Sequence, residues 1–202
     1  MSRTLSFSLF LFLCLLAATG CTTTLHVHRL DARPNVNLPH SKSSLSLKLG
    51  DRVQDTYTVP RENGVGPTEV KEWRVSLATA FKNTFSDSFP LQDSGGDYVL
   101  EIQEAELSMV PAAVAVGGGV VAGRAQLRYK AQLLDKEGKT LAMLAGTVES
   151  KTTTTSMSGA SSIAKSAVES MFENIVAQIF TKDSKGGDGG GSQATGAMLD
   201  TR

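Results

Sequence analysis

Three carboxylates crowd one apolar-rich stretch of the chain: Glu101, Glu104 and Glu106. Paired carboxylates can carry out acid–base chemistry when a cleft perturbs them. On an extended strand Glu104 and Glu106 share a face, and Arg128 and Lys130 stand in a second alternating run, placed to pair across it. The pattern therefore predicts a solvated, charge-paired sheet face. His26 and His28 are two apart and would share a face of an extended segment. Such a pair can hold a metal with a third ligand; no third ligand or rigid frame is apparent, and both read as part of a polar segment, as does His40. Serine and threonine are plentiful, yet no Gly-x-Ser-x-Gly sequence occurs, and no histidine falls in the predicted core to act as a base. Gly117-Gly118-Gly119 lacks the Lys-Ser/Thr pair and the strand-to-helix context of a phosphate loop. No catalytic residue, cofactor or metal site is assigned, and the chain is expected not to be an enzyme.

One residue does have chemistry written beside it. Cys21 closes the run Leu16-Ala17-Ala18-Thr19-Gly20-Cys21, after a short apolar segment preceded by Arg3. A positive n-region, an apolar h-region and small residues make a secretory signal, too short for a lasting transmembrane helix. The ending resembles a lipobox, in which the cysteine receives a diacylglycerol and the preceding peptide is removed. Each buried methylene contributes about 0.8 kcal/mol, and stable anchoring takes more than one acyl chain. The two or three chains the resemblance implies, palmitate among them, would hold the protein to its membrane. The same resemblance implies, from uncharged Thr22 after the cysteine, an address at the outer membrane, facing the periplasm.

Arg3 leaves with residues 1–20, so the balance of 20 basic and 20 acidic side chains becomes an excess of one negative charge. Such a chain has no net attraction for nucleic acid or anionic lipid. Of the two cysteines, Cys14 is discarded and Cys21 acylated, which leaves the folded body without a thiol, a disulfide or a cysteine-held metal. Residues 21–43, with Pro34 and Pro39, read as the lipidated cysteine and a flexible tether. Residues 44–182 read as a single domain. Residues 183–202, rich in Gly, Ser, Asp and Lys, read as a disordered tail.

Within the domain, Leu45, Leu47 and Leu49 alternate with Ser46 and Lys48, a half-buried strand. Residues 53–59 could continue it as a second. Val70, Trp73, Leu77, Phe81 and Phe85 recur at helical spacing, capped by Gly66 or Thr68, with Glu69 in the first turn. Tyr98, Leu100 and Ile102 point one way along a strand, whereas Ala105, Leu107 and Met109 have the opposite parity. A bulge at Gln103-Glu104 would return both sets to one side. Ala125, Leu127, Tyr129, Ala131 and Leu133 alternate cleanly, Asp135-Lys136-Glu137-Gly138-Lys139 is a hairpin turn, and a partner strand returns from Leu141. Ile163, Ala167, Met171, Ile175 and Ile179 lie four apart on a second helix. The expected fold is α+β: an antiparallel sheet of about four strands with two amphipathic helices on one face.

Residues 109–123 carry no charged side chain although they join two strands, where tips are normally polar. Met109, Val110, Val114, Val116, Val120 and Val121 are the candidate contacts with a partner or a bilayer. The stretch Tyr98-Val99-Leu100-Glu101-Ile102 and the strand from Arg124 to Leu134 are similar in style to YajG-like sequences. The order of elements resembles small Gram-negative envelope lipoproteins, the YajG-like and LPS-assembly (LptE-like) families. That resemblance implies an outer-membrane lipoprotein that supports an envelope protein partner or binds an envelope component, without enzymatic activity. No basic cluster for lipid A phosphates stands out. The function expected is a membrane-anchored, non-catalytic accessory or structural component of an envelope complex. The alternative is a binding module for a hydrophobic or glycolipid ligand held between helices and sheet.

Overall fold

The computed structural model describes residues 24–60, 67–110, 113–114, 120–121, 123–154 and 159–180. Cys21, Val116 and the tail 183–202 lie outside them. Among these residues, ten strands and two helices follow in the order β1 (Leu25–Val27), β2 (Leu45–Leu49), β3 (Tyr57–Val59), β4 (Thr68–Val70), α1 (Trp73–Phe85), β5 (Leu91–Gln92), β6 (Tyr98–Val110), β7 (Ala113–Val114), β8 (Val120–Val121), β9 (Arg124–Asp135), β10 (Thr140–Glu149) and α2 (Ala160–Phe180).

The long strands follow their side-chain alternation. In β9, Ala125, Leu127, Tyr129, Ala131 and Leu133 are buried while Arg128 and Lys130 are exposed. β6 pairs antiparallel with β9, and its register steps between Ile102 and Glu104. The step leaves Gln103 as the extra residue, so Leu100 and Ile102, then Ala105, Leu107 and Met109, all face the core. In the β9–β10 turn the Asp135 carboxylate accepts the N–H groups of Glu137 and Lys139 at 3.0 and 2.8 Å. Gly138 takes φ +82° there, a conformation that favours glycine.

Strand order in the main sheet is β10-β9-β6-β2-β5. The expected α+β class holds, in a mixed sheet: β2 runs parallel to both β6 and β5. Alternation tells which face of a strand is buried, not which way the strand runs. Both helices bury their apolar faces, Trp73, Leu77, Phe81 and Phe85 from α1 and Ile163, Ala167, Met171 and Ile175 from α2, in one core with the inner side of this sheet. A second, three-stranded sheet has the order β1-β4-β3.

Two expectations need correction. Thr68 and Val70 do not open the first helix. They form β4, both buried, between β1 and β3. Glu72 then turns the chain at φ 52°, and the helix starts at Trp73. A three-residue strand has no period of its own, and here tertiary pairing decides its conformation. The segment read as a tether is not free either. β1 lies parallel to β4, and Val27, Leu30 and Ala32 are buried. The Leu30 N–H donates to Ser76 Oγ at 2.9 Å, and Asn83 Nδ2 donates to the Ala32 carbonyl at 2.8 Å. Further along, Ser88 Oγ donates to the Leu38 carbonyl at 3.1 Å. Polar composition hid a few isolated apolar side chains, which are buried in the core or packed against it.

Candidate functional site

The outward face of the main sheet carries the three carboxylates, each held by cations from neighbouring strands. Glu106 meets Arg128 at 2.6 Å. Glu104 meets Lys130 at 3.1 Å and Arg52 at 2.5 Å. Glu101 meets Lys48 at 2.7 Å and accepts from Gln132 Nε2 at 2.5 Å. Hydrogen bonds from Arg52 and Lys130 hold the Glu104 carboxyl below the usual glutamate range, and those from Lys48 and Gln132 do the same for Glu101. A general acid needs the opposite environment, one that raises its pKa. Arg52 is the partner that sequence spacing does not reveal, because it arrives from the loop after β2.

His26 and His28 stand near each other, ring centroids 5.9 Å apart, and His26 Nδ1 lies 3.0 Å from Glu69. Lys71 also reaches Glu69, at 3.1 Å, and its hydrogen bond is the main cause of the lowered Glu69 pKa. Among the described residues no group of three or more His, Cys, Asp or Glu side chains could hold a metal ion.

A groove of about 630 Å³ opens between the β3 segment and the outward side of β6, lined among others by Arg52, Tyr57, Val59, Leu107, Ser108 and Arg128. Tyr57 closes its inner wall. Its hydroxyl oxygen accepts the Leu107 N–H at 3.1 Å, and burial pushes the phenol pKa above its ordinary value. The groove exists because β3 belongs to the other sheet, a pairing no local period encodes. Between the helices and the main sheet, by contrast, a void of only about 10 Å³ lies among Leu45, Phe85, Phe89, Leu100, Leu133, Ile179 and Phe180. That is far below the roughly 300–1,000 Å³ of ligand pockets.

At the far end of β6 and β9, the backbone of β7 pairs with β8, Val114 opposite Val120 and Ala113 opposite Val121. Val110 at its base is 45% exposed, whereas Met109 is 8% exposed and packs in the core. Met109 is thus a core residue, not a contact residue: the bulge at Gln103 sets its parity inward. No described helix is long and apolar enough to cross a membrane.

No family model matches the chain, and no curated protein matches it. Among solved structures it is similar to a Xanthomonas campestris protein of the DUF330 family, with a TM-score of 0.45 and 16% identity over 77% of this chain and 97% of that one. It is also similar to a minor lipoprotein of Acinetobacter baumannii, with a TM-score of 0.41 and 18% identity over 68% of this chain and 91% of that one. A third is an uncharacterized lipoprotein B of Nitrosomonas europaea, with a TM-score of 0.41 and 13% identity over 74% and 94% of the two chains. Likenesses this distant do not place the chain in a family.

Proposed function

We propose that this chain is a lipoprotein of the bacterial envelope, attached through Cys21, whose domain is a non-catalytic accessory component of an envelope complex. The observation that carries the reading is the ending Ala17-Ala18-Thr19-Gly20-Cys21 behind an apolar run, with no later cysteine in the chain. Thr22 favours the outer membrane and a domain facing the periplasm. Two features support a non-catalytic role: each outward carboxylate is neutralised by a cation, and those of Glu101 and Glu104 are held below their ordinary pKa. The partner surface is Val110 together with Val114, Val116, Val120 and Val121 of the uncharged tip. The 10 Å³ void gives no support to a glycolipid held between helices and sheet.

The test is expression in a Gram-negative host fed a clickable palmitate analogue, followed by gradient separation of the membranes. Wild type takes up label and floats with the outer membrane. Cys21→Ser takes up none and is released as a soluble periplasmic protein. Label retained by Cys21→Ser overturns the anchor. For the tip, crosslinked adducts are compared between wild type and a chain whose residues 111–122 are replaced by a Gly-Asn turn. Unchanged adducts overturn the tip as the contact.

A further inference from the structure

Cys21 stands four residues before Leu25, the first residue of β1. Four residues span at most about 14 Å, whatever their conformation. A free segment from Cys21 to Leu45 would reach about 80 Å. The strap between β1 and β2 makes the difference, because it is docked along both helices. Val27, Leu30 and Ala32 are buried. Ser76 and Asn83 of α1 hold Leu30 and Ala32 by their main-chain groups. The Glu169 and Glu173 carboxylates of α2 accept the N–H groups of Arg33 and Asn35 at 3.0 and 3.1 Å. The Ser41 N–H donates to the Ser88 carbonyl at 2.7 Å, and β2 then starts with Leu45 beside Tyr98. The strap thus runs the length of α1, away from the end of the domain at which β1 enters.

Leu25, Thr68 and Val59 are register partners across the small sheet and mark that end. The small sheet lies against the later part of β6. Tyr57 of β3 accepts the Leu107 N–H, and Trp73, edge-on to Tyr57, bonds the Ala105 carbonyl. At about 3.3 Å per residue, Leu107 is about 10 Å from Val110 and about 30 Å from Tyr98 along the strand. β1 therefore enters at the Val110 end of the main sheet, where Val110 is the register partner of Arg124. The two ends of the sheet differ in charge. Residues 109–123, which join β6 to β9 at the Val110 end, include no charged side chain before Arg124, and Val110 is exposed. At the Tyr98 end, the turn Asp135-Lys136-Glu137-Gly138-Lys139 is charged at every residue but the glycine. Pressing that turn into a bilayer would strip water from four charges, a cost that residues 109–123 do not carry.

We propose that the domain rests on the lipid surface by its Val110 end, with the start of β1 and Val110 turned toward the bilayer and the β9–β10 turn facing away from it. The docked strap converts a long tether into a short one, and the short one selects the end that meets the membrane. The inference rests on acylation of Cys21 and deepens the role proposed above. It sets the contact made by Val110 and the tip at the bilayer surface, not across the periplasm.

The test is energy transfer in the full mature lipoprotein, reconstituted into phosphatidylcholine vesicles that carry an acceptor dye on a fraction of the lipid headgroups. An acylated Cys21 leaves no free thiol in the mature chain, so a donor dye goes on one introduced cysteine at a time. Thr58→Cys reports on the β1 end and Lys136→Cys on the β9–β10 turn; both positions are exposed. His28→Cys, also exposed, replaces Thr58→Cys if that variant fails to fold. Transfer from position 58 is expected to exceed that from position 136 several-fold. A long Gly-Ser insert between Thr23 and Thr24, outside the folded body, is expected to lower transfer from position 58 several-fold. Intact mass of the same samples reports acylation. A chain without acyl groups on Cys21 overturns the anchor and this proposal with it. An acylated chain with equal transfer from both positions, or with more from position 136, overturns this proposal alone, as does transfer from position 58 that the insert leaves unchanged.

Discussion

Trp73 Nε1 lies 2.9 Å from the carbonyl oxygen of Ala105, so the first residue of α1 fastens the edge of β6 where β2 has already left it. The indole is fully buried and meets Tyr57 edge-on, ring centroids 6.2 Å apart at 80°. One side chain thus ties the helix, the small sheet and the main sheet together. Trp73→Phe should keep most of the packing but strand the Ala105 carbonyl, at a cost of about 1–3 kcal/mol. Trp73→Ala should cost about 3–5 kcal/mol. Urea unfolding midpoints check both, and equal losses for the two variants would show that the hydrogen bond does not matter.

Arg74, the next residue, donates to three carbonyls: Leu49 at 3.0 Å, Gly50 at 3.0 Å and Val53 at 2.8 Å. These are the groups exposed as β2 ends, and only a planar guanidinium can gather all three. Arg74→Lys should therefore destabilise nearly as much as Arg74→Ala, by about 1–3 kcal/mol. Denaturation of the two variants in parallel gives the comparison; a lysine chain as stable as wild type would mean that one contact suffices.

The outward carboxylates make stability depend on pH. Glu101, Glu104 and Glu149 are held below the ordinary glutamate value of 4.5 in the folded state. Their contribution is present above that value and is lost as the pH falls through the lower folded-state values. The urea midpoint should thus be flat near neutrality and drop on acidification below about pH 4.5. Glu104→Gln, which strands Arg52 and Lys130, should lower the neutral midpoint and shrink the acid drop. A variant with the full wild-type drop would remove Glu104 from the account.

Two glycines differ in what surrounds them. A Cβ at Gly96 would sit 3.0 Å from the Tyr98 carbonyl oxygen and 3.1 Å from that of Ser44, both main-chain atoms. At Gly146 it would sit 3.2 Å from the Tyr129 ring, a buried side chain held through its hydroxyl by Asn174 and Gln178, with no main-chain atom as near. Gly96→Ala should cost more than Gly146→Ala, the first at the upper end and the second at the lower end of the roughly 1–3 kcal/mol typical of overpacking. Thermal unfolding of the two variants ranks them.

The readability of this chain follows the length of its elements. β9, with five buried residues alternating with polar ones, is legible because its period is long enough to exceed chance. So is the bulge at Gln103, since Ile102 and Ala105 cannot both face the core without it. The pairs Glu106–Arg128 and Glu104–Lys130 follow directly from that register. The strands of three residues or fewer, among them β1, β3, β4 and β5, carry no period and are settled by what lies beside them.

By itself, then, the sequence determined the long strands, the two helices and the charge-paired face, because each is encoded within a few consecutive residues. Tertiary structure alone decided that β2 runs parallel to β6, that Leu30 and Ala32 dock onto the helices, and that a groove separates β3 from β6. Those depend on contacts between residues tens of positions apart, such as Leu30 with Ser76 and Tyr57 with Leu107, for which loop closure leaves no mark in the local pattern.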